Sequence, residues 1–217
     1  MQISRVKRSK KAARRAYNRL SRVYDLLTGS SETRFMHLGL EMLAVEAGET
    51  VLEIGCGTGK ALWELCRHTE KVFGLDLAAG MLHVARERLS KENLEGRVHL
   101  LCGDGAALPY ADHSFSALFI SFTLELFDTP EIPLVLAESH RVLQPDGRLV
   151  VVSMLKTIQP GPAVRLYEWF HEHFPVYVDC RPIDAQGMIQ TAGFKLEKRL
   201  MKSMWGLPVE LVMVRKP

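Results

Sequence analysis

The sequence predicts an α/β fold in which an open, mostly parallel sheet carries helices on both faces. After residue 30, short apolar segments of strand type alternate with segments whose apolar residues recur at helical spacing. The strand segments are apolar throughout, which is typical of strands buried on both faces of a parallel sheet. Near the C-terminus, two strand segments follow each other with a linker too short for a helical crossover. The last strand should therefore run antiparallel to its neighbour.

The individual elements follow from this alternation in chain order. A helix is predicted over residues 31–46, after a capping-type start at Ser30, Ser31 and Glu32. Further helices are predicted at 60–68, 79–89, 131–143, 162–174 and 183–192. The helix at 131–143 is stopped by the turn-forming segment Gln144-Pro145-Asp146-Gly147. Strands are predicted at 50–54, 71–75, 97–101, 116–122, 148–154, 194–201 and 208–216.

Length and composition indicate one globular domain over residues 1–217. The chain is 47% hydrophobic and 24% charged, which excludes a disordered, collagenous or coiled-coil protein. The longest charge-free run, Ser114 to Leu124, is too short to span a membrane, and the N-terminus lacks the apolar run of a secretory signal. The four cysteines form no C-x-x-C pair, so we expect no disulfide or zinc framework and a cytoplasmic location.

The charge is distributed unevenly between an N-terminal arm, residues 1–30, and the rest of the chain. Residues 1–22 contain nine basic side chains and no acidic one, which leaves 19 basic and 25 acidic residues in the remainder. Apolar residues at helical spacing predict an amphipathic helix over about 10–27 whose apolar stripe packs over a cleft. The arginines would then face solvent, an anionic membrane surface or nucleic acid. The nine basic residues are Arg5, Lys7, Arg8, Lys10, Lys11, Arg14, Arg15, Arg19 and Arg22.

Three glycines follow the strand at 50–54 at alternate positions: Gly55, Gly57 and Gly59. Glycine permits positive φ and the close approach of a ligand to the backbone. The loop does not match a P-loop, because Ile54 replaces the first glycine and Ala61 replaces the hydroxyl that binds magnesium. It does not match a dinucleotide-binding loop, because Lys60 occupies the last glycine position. Two interpretations of the loop remain: it binds a nucleoside ligand without phosphate, or it is a tight turn that binds no ligand.

Two acidic residues at the ends of the next strands favour the nucleoside. Asp76 ends the second strand, where an acid in nucleotide-binding α/β folds holds the ribose hydroxyls. Asp104 follows the third strand and could accept from the exocyclic amine of adenine. Either carboxylate alone could instead be a helix N-cap. Ligands of open α/β sheets bind at this edge of the sheet.

Four segments together resemble the successive motifs of class I S-adenosylmethionine-dependent methyltransferases. They are VLEIGCGTGK, VFGLDLAAGML, LLCGDGAALPYADHSFSALFISF and RVLQPDGRLVVVS. The likeness is strongest to the branch that contains the ubiquinone/menaquinone C-methyltransferases, and it covers residues 15–155 well. The resemblance implies a seven-stranded sheet in the order 3-2-1-4-5-7-6 with strand 7 antiparallel. It also implies S-adenosylmethionine as cofactor and S-adenosylhomocysteine as product.

The resemblance also implies a cofactor-binding role for particular residues. The glycine loop would lie along the methionine part of the cofactor, with Glu53 orienting the loop or the amino group. Leu77 and Met81 would pack around the adenine, and Ser121 would lie beside the reacting methyl group. The full expected set is Tyr24, Glu53, Gly55, Cys56, Gly57, Gly59, Asp76, Leu77, Met81, Asp104, Gly105, Ala106 and Ser121.

The acceptor is less well defined than the cofactor. The fourth strand is followed by Phe122-Thr123-Leu124-Glu125 without a proline pair, which argues against methylation of nucleic-acid bases. Apolar side chains in this segment and at Trp169 indicate either an apolar acceptor or residues of the hydrophobic core. Thr-Leu-Glu replaces the Arg-Asn element that the menaquinone-type enzymes carry here, which argues against a quinone as the acceptor. A general base is needed only for some acceptors. The histidines considered for it, without assigning one, are His37, His113, His140, His171 and His173.

The sequence therefore predicts a methyltransferase that acts on a small or lipid-like acceptor, quinone-type or otherwise apolar. A phospholipid headgroup N-methyltransferase, a nucleic-acid-associated protein and a cofactor-binding domain without transfer activity are the rival interpretations. No metal is expected. Contact with an anionic membrane is expected through residues 1–22, with the enzyme cytoplasmic or peripheral to the membrane.

Overall fold

A computed structural model of the chain describes residues 5–6, 8–157, 161–173 and 180–217. Seven strands form one sheet in the order β3-β2-β1-β4-β5-β7-β6, which confirms the predicted topology. The first five run parallel, and β7 runs antiparallel to both β5 and β6. The strands are β1 Thr50–Ile54, β2 Lys71–Asp76, β3 Val98–Cys102, β4 Phe115–Ser121, β5 Leu143–Met154, β6 Lys195–Met204 and β7 Leu207–Arg215.

Helices cover both faces of this sheet, and the apolar strand segments explain why. The strand residues Val51 and Leu52 have no exposed surface, and they point into two separate apolar clusters on opposite faces. Helices α2 to α4 pack into the first cluster, and α5 and α7 pack into the second. The helices are α1 Lys10–Leu20, α2 Tyr24–Leu43, α3 Lys60–Leu65, α4 Ala79–Lys91, α5 Ile132–Val142, α6 Pro162–His173 and α7 Ala185–Thr191. In the part of the chain that is described, no helix is long and apolar enough to cross a membrane.

The N-terminal arm differs from the prediction. The prediction of a single helix over about 10–27 was wrong, because the helix is interrupted at residues 21–23 and a second helix starts at Tyr24. The buried Ser21 donates its hydroxyl to the Asn18 carbonyl at this break. Helix α2 therefore begins seven residues before the predicted start at residue 31. The side chain of Ser30, part of the expected cap, lies outside the described residues, as do Lys7 and Phe174.

The predicted stop at residues 144–147 is part of a strand. Strand β5 starts at Leu143 and includes this segment, which is held by pairing with the C-terminal residues. The backbone N–H of Asp146 donates to the Lys216 carbonyl, and that of Lys216 donates to the Gly147 carbonyl. Elsewhere the predicted bounds agree with the structure to within about three residues.

The carboxyl ends of the five parallel strands lie together at one edge of the sheet, which is called the carboxyl edge below.

Candidate functional site

A cavity of about 580 Å³ opens at the carboxyl edge of the sheet. Its volume lies within the range of small-molecule sites in proteins, roughly 300–1,000 Å³. The glycine loop, the ends of β1, β2 and β4, and the N-terminal arm form its walls. The predicted site residues that line it are Tyr24, Glu53, Gly55, Cys56, Gly57, Asp76, Leu77, Met81, Asp104, Gly105 and Ser121.

Two predicted site residues lie next to the cavity without lining it. A Cβ added at Gly59 would lie 2.9 Å from the Cβ of Ala85, so this glycine allows α3 to start against α4. Ala106 donates its backbone N–H to Oδ1 of Asp104 at 3.0 Å. Both residues therefore shape the loops behind the wall rather than the wall itself.

The glycine loop is fixed by the neighbouring strand and by a residue of the arm. The backbone N–H groups of Gly55 and Cys56 donate to the Leu75 carbonyl at 2.7 and 3.1 Å. The three glycines have φ of 76°, 51° and 77°, a conformation that is costly for other residues. The hydroxyl of Thr58, inside the loop, donates to Oδ1 of Asp25 at 2.7 Å. The loop is therefore rigid before any ligand arrives.

Asp76 lies at the base of the cavity, where it supports two turns. Its Oδ2 accepts from the Gly57 N–H at 2.9 Å, and its Oδ1 accepts from the Ala78 N–H at 2.8 Å. Burial raises the pKa of Asp76, and these two backbone hydrogen bonds oppose the rise. Each carboxylate oxygen can accept more than one hydrogen bond. Asp76 can therefore hold the loop and still accept from ligand hydroxyls.

Glu53 is the most strongly perturbed acid of the site. Only 4% of its surface is exposed, and its Oε2 has no hydrogen-bond partner among the described residues. Burial raises the pKa of Glu53 well above its usual value, and the nearby Asp76 carboxylate raises it further. This direction of the pKa shift favours the neutral form of the Glu53 carboxyl.

The N-terminal arm forms one wall of the cavity through ion pairs. Lys10 Nζ lies 2.5 Å from Asp104 Oδ2 and 2.7 Å from Glu131 Oε1. Arg5 makes a two-pronged contact with the Asp128 carboxylate, and that contact holds the pKa of Asp128 well below its usual range. Two of the nine basic residues therefore pair with acids that line the cavity, and Arg5 does so while its side chain stays 67% exposed. No local sequence pattern marks these pairs, because their partners are more than 90 residues away.

Asp25 is a second residue whose role was missed. It accepts from Thr58, lies 3.3 Å from Lys60 Nζ and pairs with Arg88. Burial acts to raise the pKa of Asp25, but the Thr58 hydrogen bond and the charges of Arg88 and Lys60 outweigh it and lower the pKa. Asp25 thus ties the start of α2 to the glycine loop, α3 and α4.

Another part of the cavity wall is apolar. Met36, Phe122, Leu126 and Phe127 line it. Of the other residues considered for an acceptor site, Leu124 is fully buried in the core and Trp169 is 48% exposed and does not line the cavity. The apolar segment after β4 thus contributes both to the core and to the cavity.

Histidine is missing from the cavity wall as far as the chain is described. His173 stacks on Trp169, and the ring of His113 contacts the Leu143 carbonyl and Lys216. None of the five histidines considered as a general base is therefore placed to act on a ligand in the cavity.

Comparison with known proteins agrees with this geometry. Residues 51–147 match the family model described as "Methyltransferase domain". The ubiquinone/menaquinone biosynthesis C-methyltransferase of Dinoroseobacter shibae is 34% identical over 63% of this chain and 55% of its own length. The demethylmenaquinone methyltransferase of Lactobacillus johnsonii is 37% identical over 61% of this chain and 54% of its own. Over residues 51–147 the chain is therefore similar to class I methyltransferase domains. It spans about half the length of these relatives.

Solved structures share the methyltransferase fold. The cyclase SpnF superposes with a TM-score of 0.78 at 17% identity, covering 97% of each chain. The geranyl diphosphate C-methyltransferase of Streptomyces coelicolor, in complex with S-adenosyl-L-homocysteine, superposes with a TM-score of 0.69 at 13% identity. It covers 86% of this chain and 81% of its own. At these identities the likeness concerns the fold alone.

The lining of the cavity fits S-adenosylmethionine, the cofactor that the sequence resemblance implies. Gly57 lines the cavity, and a Cβ added there would meet no protein atom within 4 Å, so the backbone is accessible to a ligand. Asp76 has lone pairs left for ribose hydroxyls, and Glu53 lines the same cavity. Leu77 and Met81 supply apolar surface for a flat base. These groups thus suit a nucleoside without phosphate rather than a phosphate-bearing ligand.

Proposed function

We propose that the protein transfers a methyl group from S-adenosylmethionine to an apolar small molecule of the quinone type. The observation that carries the proposal is one cavity that joins two kinds of wall. The glycine loop and Asp76 form a part of the wall suited to a nucleoside, and Phe122, Leu126 and Phe127 form an apolar part of the same wall. The sequence relatives named above are methyltransferases of quinone biosynthesis. We propose further that residues 1–217 act as a single domain, with residues 1–30 as its arm.

The proposed contacts with the cofactor follow the cavity walls. Gly55, Gly57 and Cys56 would lie along its methionine part, and Asp76 would accept from the ribose hydroxyls. Asp104 would accept from the adenine amine, with Gly105 beside it. Tyr24 would cover the cofactor from the arm and Ser121 would lie near the transferred methyl group, with Gly59 and Ala106 supporting from behind.

When bound, the cofactor supplies a methyl group attached to a positively charged sulfur. The chain's own contribution is to align the acceptor, exclude water and avoid stabilising that charge. The raised pKa of Glu53 favours its neutral form, so this acid places little negative charge beside the ligand. We propose an electron-rich aromatic carbon as the acceptor atom, because such a carbon needs little help from a base.

Methyl-labelled cofactor tests the proposal directly. Purified protein is incubated with labelled S-adenosylmethionine and a cell extract, and the products are separated into apolar small molecules, phospholipids, nucleic acids and proteins. We expect label in the apolar fraction, and none with the Asp76→Ala variant. Label in phospholipid or nucleic acid would contradict the acceptor class. Absence of label in every fraction, with a folded protein that binds the cofactor, would contradict transfer activity.

We also propose that the arm brings the enzyme to an anionic membrane surface, as a cytoplasmic protein peripheral to the membrane. Exposed basic side chains recur along one side of α1 and the turn after it: Lys11, Arg14, Arg15, Arg19 and Arg22. The opposite side of α1, with Ala13 and Tyr17, lines the cavity. Each basic residue near an anionic bilayer contributes about 1 kcal/mol, screened within a Debye length.

Vesicle sedimentation tests the arm without disturbing the cavity wall. We expect adsorption to anionic but not neutral vesicles at low salt, and its loss when Arg14, Arg15 and Arg19 are changed together to glutamine. Lys10, Ala13 and Tyr17 remain in that variant, so cofactor binding should be unchanged. Equal adsorption by the triple variant would refute a role for the exposed stripe.

A further inference from the structure

The hairpin between β6 and β7 lies at the same edge of the sheet as the cavity. Met154, the last residue of β5, pairs with Val209 near the start of the antiparallel β7, and Met204 pairs with Leu207. The two-residue turn Trp205-Gly206 therefore projects from the carboxyl edge. It is separated from the cavity in sequence and contributes no residue to its wall.

Trp205 occupies this turn at a conformational cost. Its side chain is 80% exposed, and its φ is 53°, followed by 84° at Gly206. Two positive φ values define the hairpin turn that favours Asn-Gly, and a bulky residue at the first position is an outlier. Strained backbone conformations are concentrated at functional sites, so an exposed aromatic ring on such a backbone indicates a functional role for the ring.

Helix α6 leaves the sheet beside this turn. The segment that contains it begins at Leu155, whose N–H donates to the Pro208 carbonyl. It returns at Ile183, which exchanges hydrogen bonds with Met154 and Lys156. The segment's two ends are therefore next to the hairpin.

Three exposed apolar side chains lie on one face of α6, beside the exposed His173. Leu166, Trp169 and Phe170 are spaced as one helix face and are 58%, 48% and 41% exposed. Val164 anchors the helix in the same apolar cluster that Leu207 joins. Apolar side chains at this end are thus presented to the outside on two elements, which is unusual for a surface that meets only water.

Basic residues accompany the exposed rings. Lys198 and Lys202 on β6 are exposed, whereas Arg199 between them pairs with Glu210 on β7. The exposed stripe of α1 lies at the same edge, because its helix covers the cavity. Aromatic residues with lysine and arginine around them match the interface of an anionic bilayer, where the ring sits at headgroup level and the charges meet the lipid phosphates.

We propose that Trp205 and the outer face of α6 form a membrane-docking surface that inserts into an anionic bilayer. The surface would hold the carboxyl edge, and with it the mouth of the cavity, against the lipid from which an apolar acceptor arrives. The inference rests on the proposed function for the identity of the acceptor, but docking is a separate property of the surface. It also differs from adsorption by the arm, which is electrostatic and needs no insertion.

The test uses two substitutions that separate folding from docking. Trp205→Asn introduces the residue that this turn favours, so its unfolding midpoint should equal or exceed that of the wild type. Its partition onto vesicles of phosphatidylglycerol and phosphatidylcholine in equal parts should fall about tenfold, because the variant lacks the apolar surface that inserts. Trp205→Phe keeps an aromatic ring on the same backbone and should retain most of the adsorption. Equal adsorption by Trp205→Asn would overturn the proposal.

Insertion is checked by fluorescence. In a Trp63→Phe, Trp169→Phe background, Trp205 is the remaining tryptophan, and brominated lipids in the same vesicles should quench it. Unquenched fluorescence on adsorbed protein would overturn insertion. A second copy of the chain on this surface would appear as an oligomer that dissociates on Trp205→Asn, and that result would also overturn the proposal. Cofactor titration of Trp205→Asn should match the wild type, and failure of both proteins to bind cofactor would count against the proposed function alone.

Discussion

Lys10 connects the arm to two walls of the cavity, so its replacement by methionine should weaken cofactor binding. Methionine keeps much of the apolar stem and removes the ammonium group that contacts Asp104 and Glu131. The Lys10 side chain is 37% exposed and each carboxylate 30%, so solvent screens both pairs. Partly exposed pairs of this kind contribute roughly 0.5 kcal/mol each. Their loss, about 1 kcal/mol, corresponds to about a fivefold weaker affinity if the arm closes over the bound cofactor.

Calorimetric titration with S-adenosylhomocysteine measures the effect, and Lys11→Met is the matched control. Lys11 is exposed on the neighbouring position of α1 and should leave the affinity unchanged. Added salt should weaken binding to the wild type and have less effect on Lys10→Met. A higher affinity of Lys10→Met would refute the reasoning, because it would mean that Lys10 competes with the adenine amine for Asp104. An unchanged affinity would mean that the arm is not coupled to the site.

Three carboxylates give further expectations. Asp76→Ala should lower affinity for the cofactor at least about tenfold while circular dichroism shows a folded protein, since charged hydrogen bonds contribute roughly 1.5–3 kcal/mol each; unchanged affinity in calorimetry would contradict the assignment. Asp25→Ala should reduce the free energy of unfolding by about 2 kcal/mol at neutral pH, and Glu41→Ala on the exposed side of α2 should not. The fold lowers the pKa of Asp25, so this carboxylate stabilises the folded state at pH values above its pKa in the unfolded chain. That stabilisation is lost as the pH falls through the pKa of Asp25 in the folded state. In urea unfolding at acid pH, the difference in stability between the wild type and Asp25→Ala should therefore be smaller. The fold raises the pKa of Glu53, so the contribution of this residue to stability is lost as the pH rises through its pKa in the folded state. Glu53→Gln should therefore be more stable than the wild type at neutral pH by about 1–2 kcal/mol. If the unfolding free energies of both proteins decline equally with pH in urea, this reasoning is refuted.

Much of the fold was predictable because its signals are local. Each of these signals lies within a few consecutive residues: the continuous apolar strands, the glycines after β1 and the short linker before β7. The sheet order then follows from the resemblance of the motifs to a known family. The start of β5 was not predictable, because residues 144–147 form a turn-like sequence. Its strand conformation depends on pairing with Lys216, about 70 residues away.

The site was predictable where a backbone position demands a residue type. Asp76 and the glycine loop were found because a strand end and a tight turn restrict which residues fit. Lys10, Asp25 and Arg5 were missed because their partners lie in distant segments, and charge pairs of this kind leave no spacing pattern. The break at residues 21–23 was missed for the same reason, since no glycine or proline marks it and Asp25 is held by contacts with α3 and α4.

The three glycines of the loop serve different purposes, and this difference leads to a last prediction. A Cβ at Gly55 would collide with the side chain of Thr123, and one at Gly59 would lie 2.9 Å from Ala85. A Cβ at Gly57 would meet no protein atom within 4 Å and would point into space that borders the cavity. Gly57→Ala should therefore cost only about 1 kcal/mol, the strain of its positive φ, yet weaken cofactor binding strongly. Gly55→Ala should destabilise the fold more in urea unfolding, and a second change, Thr123→Ala, should recover part of that loss. If Gly57→Ala binds S-adenosylhomocysteine as the wild type does, the ligand does not lie along this part of the loop.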